Sequence, residues 1–315
     1  MYITSLVNIL VLLAMAIPGF IITKLKLIDT AKVCKFISIM LLYVCHPFIA
    51  FNSFLNNDFD INILTNILAV AGFTIVFTLV MLTIARLLHF WEKDRDRKAL
   101  AVYGSAMSNL GFMCIPFLQI LMPDDTLVIL YASTSVVAFN LVAWTVGNYI
   151  ITGDVKYVKF KKAVLNPPML SFLLILPLFI FNINFIKFPE LSAVQTMCDT
   201  FAGIVGPLAM TMLGIRLAGF TFKELFGDWK LYVSAGIKLL ISPCVAFGLV
   251  AILATFYDVS DIKLNLIVMS TMPTATNMMM FTTMYNKDTH TAGKISFMSA
   301  VLSAITIPIA LTLFL

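Results

Sequence analysis

The chain has 315 residues, of which 61% are hydrophobic and only 12% are charged. Charged residues make up about a quarter of an ordinary soluble domain, so this composition excludes a soluble globular protein and predicts an apolar surface in a lipid bilayer. The formal net charge of +5 comes from lysines and arginines in the predicted loops and gives no reason to expect a nucleic-acid partner.

Ten apolar segments are long enough to cross a bilayer, at about 20 residues for each membrane helix. Numbered spans 1 to 10 in chain order, they lie at 4–23, 36–55, 62–88, 99–122, 126–151, 164–186, 193–217, 231–256, 264–285 and 295–314. The predicted fold class is therefore an all-α integral membrane protein with ten transmembrane helices. Five spans fall in a first half, residues 1–152, and five in a second half, residues 163–315.

Span 4 has the wrong composition for an uninterrupted membrane helix, because its centre reads GSAMSNLGFMCIP. Pro116 lacks a backbone N–H and its ring collides with the carbonyl four residues earlier, and Gly111 is a weak helix former, so we expect the helix to break within residues 104–116. A broken helix at membrane depth is tolerated only where protein or a water-filled cavity satisfies the freed backbone groups. A polar site near the midplane is therefore predicted. Its candidate residues in span 4 are Ser105, Ser108, Asn109, Gly111 and Pro116.

Span 9 carries a second polar interruption with a proline at its centre. An odd number of spans in each half means that any structural repeat is inverted across the membrane, and spans 4 and 9 then correspond. Paired interrupted segments are the best sequence-level indication of a transporter binding site. The candidate residues in span 9 are Thr271, Pro273, Thr274, Thr276 and Asn277.

Three ionisable side chains well inside the spans are candidates for function, because charges are costly there and usually functional. Lys238 in span 8 either attracts a substrate carboxylate, compensates a nearby carbonyl, or snorkels to the cytoplasm. Asp199 in span 7 and His46 in span 2 are candidates for titration, and a wet vestibule would explain them equally well. Neither interruption contains an Asp or Glu that could bind a proton or a sodium ion. The sequence therefore does not distinguish between uniport, proton symport and sodium symport.

The basic residues predict the orientation. Of the 21 lysines and arginines, 18 lie in the loops that follow odd-numbered spans or within the last few residues of those spans. By the positive-inside rule these loops are cytoplasmic, which places both termini outside the cytoplasm. We therefore expect a multi-pass protein of the plasma (inner) membrane.

No enzyme is expected from this sequence. Neither a Gly-x-Ser-x-Gly nor a His-Glu-x-x-His motif is present, and the five cysteines lack metal-ligand spacing, so we expect neither a metal nor a cofactor. The predicted function is a carrier. The alternatives are a channel, since broken helices also build pores, and a membrane sensor without transport.

Several segments resemble one family in order and spacing. NLGFMCIP is similar to the Asn-x-Gly-Phe-x-Gly-x-Pro signature of the auxin efflux carrier family of permeases, except that Cys114 stands where the family usually has glycine. The long cytoplasmic loop of plant auxin carriers is absent, as in bacterial members. The other similar segments are IPGFIITKLKLID, CHPFIAFNSF, LNPPML, GPLAMTMLGIRL and STMPTATNMMMFTTMY.

The resemblance implies a ten-helix carrier of the bile acid/sodium symporter-like superfamily. In this family, helices four and nine unwind and cross at their prolines, here Pro116 and Pro273. Spans 1, 2, 6 and 7 form a scaffold that is often a homodimer, and spans 3–5 and 8–10 form a transport domain that moves as an elevator. Substrates are small organic anions, including auxin in plants and dicarboxylates such as malate or malonate in bacteria. Half-helix N-termini suit a carboxylate because they offer free N–H groups and a positive dipole end.

Overall fold

The computed structural model describes residues 2–158 and 160–315, and this part of the chain is almost entirely helical. Short helices at Phe160–Val164 and Phe222–Phe226 and single turns at Val155–Tyr157 and Pro189–Leu191 lie in the connections. The main helices are α1 (Tyr2–Ala14, continued after a turn by Ile17–Lys24), α2 (Thr30–Leu55), α3 (Ile61–Leu88), α4 (Arg95–Ala106), α5 (Leu110–Leu121), α6 (Thr126–Thr152), α7 (Pro167–Ile180), α8 (Ser192–Leu217), α9 (Trp229–Leu253), α10 (Lys263–Thr271), α11 (Asn277–Met284) and α12 (Thr289–Phe314).

Within the described residues, seven helices are long and apolar enough to cross a membrane: α1, α2, α3, α6, α8, α9 and α12. The predicted class, an all-α membrane protein, is confirmed. Helix α7 is apolar but has only 14 residues. The chain leaves the helical conformation between α4 and α5 and between α10 and α11, inside the two segments that the sequence predicts to be interrupted.

Aspartate and asparagine side chains begin most of these helices. Each accepts a hydrogen bond from a backbone N–H two or three residues later, which satisfies one of the donors left free at a helix N-terminus. The cap at Asp29 explains why α2 begins before the predicted residue 36. The capping residues are Asp29, Asp60, Asp94, Asp125, Asn166, Asp228 and Asp288.

The backbones of α1 and α8 touch at two glycines. A Cβ atom on Gly214 would lie 1.8 Å from the carbonyl oxygen of Ala16, and one on Gly19 would lie 2.0 Å from that of Thr211. Membrane helices commonly approach this closely through small residues. Helix α2 packs on both α7 and α8, so α2, α7, α8 and the second part of α1 (Ile17–Lys24) form one group, while the first part of α1 (Tyr2–Ala14) packs mainly on α12.

The remaining long helices form a second group, in which α3 packs on α4 and α6, and α9 packs on α4, α10 and α12. Three ion pairs join this group at the end where α4, α9 and α12 begin. They link the first half of the chain to the second half. The pairs are Glu92–Lys230 (2.7 Å), Asp96–Lys287 (2.9 Å) and Arg97–Asp228.

Candidate functional site at the two interruptions

The two interruptions lie against each other and exchange backbone hydrogen bonds. The N–H of Asn109 donates to the carbonyl of Pro273 at 2.8 Å, and the N–H of Ala275 donates to the carbonyl of Met107 at 2.9 Å. Backbone polar groups have no water to bind inside a bilayer, so each interruption satisfies groups freed by the other. Between these two hydrogen bonds, Ser108 pairs with Thr274 as an isolated antiparallel β-bridge.

Thr274 closes the end of α4. Its hydroxyl donates to the carbonyl of Gly104 at 2.6 Å, in the last turn of α4, where carbonyls lack an intrahelical donor. Its own N–H donates to the hydroxyl of Ser299 on α12 at 2.9 Å. Thr274 therefore ties both interruptions to α12, and its hydroxyl is already used within the protein.

Lys238 reaches the same point from α9 and is fully buried. Its Nζ atom lies 2.6 Å from the hydroxyl oxygen of Ser108, 3.1 Å from that of Ser242 and 3.3 Å from the carbonyl oxygen of Ser270. Because the side chain is 0% exposed, it does not snorkel to the cytoplasmic surface. Among the described residues, no Asp or Glu pairs with it.

Two polar side chains at the interruptions make no hydrogen bond within the described part of the chain. Asn109 is 6% exposed, and its carboxamide makes no hydrogen bond with a described residue. Thr276 is 8% exposed and its hydroxyl is also unpartnered. Buried polar side chains nearly always have a partner, which makes these two groups candidates for contact with a ligand or an ordered water molecule.

Asn277 is oriented by a neighbouring tyrosine. The hydroxyl of Tyr103 donates to Oδ1 of Asn277 at 2.8 Å, which leaves the amide NH₂ group for another acceptor. Asn277 is the first residue of α11, and Asn109 directly precedes α5, so both carboxamides stand at helix N-termini. The first N–H groups of a helix lack intrahelical acceptors and lie at its positive dipole end.

Two of the predicted residues use their hydroxyl groups in hydrogen bonds to backbone carbonyls of the protein. The hydroxyl of Ser105 lies 3.3 Å from the carbonyl of Ser234 on α9. The hydroxyl of Thr271 donates at 2.8 Å to the carbonyl of Val268 in its own helix. Both side chains are buried, and their polar atoms are satisfied without a ligand.

Gly111 and Pro116 face the group formed by α1, α2, α7 and α8. A Cβ atom on Gly111 would lie 2.9 Å from Cε1 of His46 on α2. On α8, a Cβ atom on Gly206 would lie 3.2 Å from Cβ of Pro116. Small residues therefore let α5 approach both neighbouring helices closely.

The break lies within the predicted stretch, residues 104–116, but it precedes Pro116, where the family resemblance places the crossing. Helix α4 ends at Ala106 and α5 begins at Leu110, so the chain is interrupted before Pro116, which lies inside α5. The first turn of α5 is a π turn at Leu110–Cys114. Its wider hydrogen-bonding pattern relieves the clash that a proline causes in a regular α-helix. Of the two prolines, only Pro273 takes part in the backbone pairing.

The two other ionisable candidates lie in different surroundings from Lys238. His46 is buried, its ring centroid lies 5.6 Å from that of Phe112, and it makes no hydrogen bond with a described residue. Asp199 is exposed on α8 and makes no hydrogen bond or ion pair there either. The structure thus brings Lys238 to the interruptions, places His46 beside α5, and leaves Asp199 at the surface.

Three residues that contribute to this site are absent from the sequence prediction. Ser242 was detectable, since it follows Lys238 by four residues and therefore lies on the same helix face. Tyr103 and Ser299 give no local signal, because an aromatic or a serine in an apolar span resembles ordinary helix packing.

A family model described as a membrane transport protein matches the sequence in two parts, residues 3–161 and residues 154–311. A search among curated proteins finds no match. The two parts together cover nearly the whole chain and include both interruptions, and the family transports solutes rather than catalysing reactions. The chain contains segments that resemble auxin carriers, and it matches this family model over nearly its whole length. We conclude that the chain belongs to the auxin efflux carrier family of membrane transport proteins.

Proposed function

We propose that this protein is a secondary carrier for a small organic anion, a carboxylate, which binds where the two interruptions meet. The observation that carries the proposal is the carboxamide of Asn109, which is 6% exposed, has no partner within the described chain and stands at the N-terminus of α5. The unpartnered hydroxyl of Thr276 and the free NH₂ group of Asn277 add two groups of the same kind.

The chemistry of these groups favours an anion. Amide N–H groups at the starts of α5 and α11 donate hydrogen bonds from the positive ends of two helix dipoles. Donors of this kind bind a carboxylate more strongly than a neutral acceptor. Lys238 lies at the same meeting point, and the hydrogen bonds of its Nζ atom go to protein oxygens. A neutral or cationic solute would gain little from this arrangement.

Ten membrane spans in two inverted halves form the proposed topology. The first half consists of α1, α2, α3, the pair α4 and α5, and α6; the second consists of α7, α8, α9, the pair α10 and α11, and α12. The two-part family match, which divides between α6 and α7, supports this division. The basic loops support a cytoplasmic location for the α3–α4 connection and an extracytoplasmic location for both termini, in the inner membrane.

The two helix groups suit an elevator mechanism of alternating access. In this proposal α1, α2, α7 and α8 form a scaffold through which two copies dimerise, and the other helices carry the substrate. The glycine contacts between α1 and α8 support a rigid scaffold. The three ion pairs that join α4, α9 and α12 support a transport domain that moves as one body.

The site is tested by uptake of radiolabelled mono- and dicarboxylates into proteoliposomes. Ligands are first selected by thermal shift, because a ligand that binds only the native state raises its melting temperature. We expect Asn109→Ala and Asn277→Ala to abolish uptake and the ligand-induced shift, while membrane expression stays normal. Asn62→Ala, an exposed asparagine at the start of α3, is the matched control and should transport normally.

Wild-type uptake in both variants would refute the assigned site. Unitary currents in a planar bilayer would refute the carrier mechanism and favour a channel, whereas saturable uptake that is accelerated by substrate on the opposite side supports a carrier.

A further inference from the structure

Arg216 carries a charge that no described acid neutralises. Its Nη1 atom donates a hydrogen bond to Sδ of Met279 on α11 at 3.1 Å, and no Asp or Glu among the described residues pairs with the guanidinium. A thioether sulfur is a weak acceptor, whereas a guanidinium offers several N–H donors in a fork that fits a carboxylate. The guanidinium therefore retains most of its capacity to bind an anion.

An arginine at the end of a membrane helix has an ordinary explanation, which does not account for the direction of Arg216. A basic residue in the last turn favours the negative end of the helix dipole and follows the positive-inside rule. Arg86, in the last turn of α3, is exposed and makes no hydrogen bond or ion pair with a described residue. Arg216 also lies in the last turn, that of α8, but it is partly buried and turns toward a helix of the other group.

The guanidinium reaches the first turn of α11, where the proposed site lies. Met279 follows Asn277 by two residues, and its N–H donates to the carbonyl of Thr276 at 3.2 Å, which closes this turn. Residues three apart lie on the same side of a helix. The unpartnered hydroxyl of Thr276 and the sulfur that binds Arg216 therefore face the same side of α11.

The first half of the chain has a corresponding contact. The ring of His46 on α2 lies against Gly111, the second residue of α5, since a Cβ atom there would be 2.9 Å from Cε1 of the ring. Spans 2 and 7, which contain His46 and Arg216, correspond in the proposed inverted repeat. Each half thus places one basic side chain against the first turn of the half-helix that begins at the site.

We propose that Arg216 binds the carboxylate of the substrate when the site opens to the cytoplasm, and that it does not contact the substrate when the site opens to the opposite side. This inference rests on the proposed function and adds the residue that gives the two sides different affinities. In the proposed topology Arg216 lies at the cytoplasmic end of α8, and α8 belongs to the stationary scaffold. A substrate carried with α11 meets this charge only at the cytoplasmic end of its path.

Uptake into everted and right-side-out membrane vesicles tests the proposal, because the two preparations present opposite sides of the protein to the medium. The probes are radiolabelled malonate, succinate and benzoate, and vesicles that lack the protein give the blank. In Arg216→Gln we expect the half-saturating concentration at the cytoplasmic side to rise about tenfold or more, as for a lost charged hydrogen bond. The value at the opposite side should stay within about twofold of wild type.

Two further variants separate binding from structure. Arg216→Lys keeps the charge without the fork, so it should raise the cytoplasmic value by less than Arg216→Gln does. Arg86→Gln is the matched control, an exposed arginine in the last turn of α3, and should change neither value. A merely structural defect would alter transport from both sides, so the difference between the sides decides the test.

The proposal is overturned if the half-saturating concentration of Arg216→Gln at the cytoplasmic side equals that of wild type. An equal rise at both sides, or a rise confined to the opposite side, would also overturn it. If the glutamine variant does not reach the membrane, Arg216→Lys gives the same comparison. Wild-type protein that takes up none of the probes would overturn the proposed function and this inference with it, whereas an active wild type with a normal Arg216→Gln would overturn this inference alone.

Discussion

The hydroxyl of Thr274 stands in for a backbone donor that α4 lacks at its end, since it donates to the carbonyl of Gly104 at 2.6 Å. Ser108 performs a related task for the ammonium of Lys238. At the scale of single residues, the polar side chains of the two interruptions thus divide into those that complete the protein's own hydrogen bonds and those that remain free. Asn109 and Thr276 belong to the free set.

Thr274→Val keeps the shape of the side chain and removes this hydrogen bond. We expect it to lower the free energy of unfolding by about 1–3 kcal/mol, because the buried carbonyl of Gly104 loses its donor. Thr134→Val is the matched control, since the hydroxyl of Thr134 is bound to a carbonyl within the interior of α6. Thermal unfolding in detergent measures both variants, and equal melting temperatures would contradict the role given to Thr274.

The sequence predicts which polar residues occur at the interruptions, but it does not predict which of them are free. The composition of GSAMSNLGFMCIP and the matching stretch around Pro273 identify both segments. The partners depend on pairing between distant parts of the chain, such as Asn109 with Pro273, and no local pattern encodes it. For this reason Ser105 and Thr271 are predicted alongside Asn109, although their hydroxyl groups donate hydrogen bonds to backbone carbonyls.

At the scale of helices, proline alone does not interrupt a span. Pro47, Pro116 and Pro243 each follow a π turn, and the helix continues through all three positions. The extra residue in a π turn moves the carbonyl four residues earlier away from the proline ring. The helix therefore accommodates both the steric clash and the missing N–H donor. The interruption before α5 lies instead at a short polar stretch that has partners across the bundle. The composition of residues 104–116 therefore predicts the interruption, whereas the proline at which the family resemblance places the crossing lies inside a helix.

The glycine contacts between α1 and α8 give a prediction for the proposed scaffold. Gly214→Ala places a methyl group where the backbone of Ala16 lies, so the two helices must separate. We expect a loss of at least about 1–3 kcal/mol in stability, as for overpacked cores. Gly203→Ala on the same helix is the control, because nothing lies within 4 Å of its added Cβ atom.

Melting temperature and the yield of monodisperse protein measure this effect. Equal values for the two glycine variants would show that α1 and α8 can separate without cost, and the close backbone contact would then have no structural importance.

At the scale of the whole molecule, both helix groups combine elements from the two halves of the chain. Helices α1 and α2 from the first half pack with α7 and α8 from the second. The ion pairs near the start of α4 likewise join residues from different halves. Neither half therefore contains a complete helix group, and the fold depends on contacts between distant segments that composition alone does not predict.

Glu92 provides a pH-dependent test of these contacts. Burial of its carboxylate acts to raise the pKa, but the hydrogen bonds from Lys230 and from the backbone N–H of Asp94 outweigh it and hold the pKa below the usual 4.5. A lowered pKa means that this stabilisation is present at neutral pH and is lost as the pH falls through the folded-state value. Glu92→Gln should therefore destabilise the protein by about 1–2 kcal/mol at pH 7 and by less in acid.

Unfolding of wild type and variant from about pH 3 to 8, a range that extends below the ordinary pKa of a glutamate, measures this difference. Asp154→Asn removes the carboxylate of an exposed pair with Lys156 and should have little effect at any pH. A difference between wild type and Glu92→Gln that grows as the pH falls would contradict the assignment.

The pairing of Ser108 with Thr274 also imposes an order on biosynthesis. The two residues lie more than half of the chain apart, and the ribosome completes the first interruption long before the second. Until Pro273 and Ala275 are inserted, the N–H of Asn109 and the carbonyl of Met107 lack the partners they have in the finished fold. Water or the insertion machinery must satisfy these groups in the meantime. The proposed binding site is thus assembled only after translation of the second half, and a nascent chain truncated before Pro273 would present unsatisfied polar groups to membrane quality control.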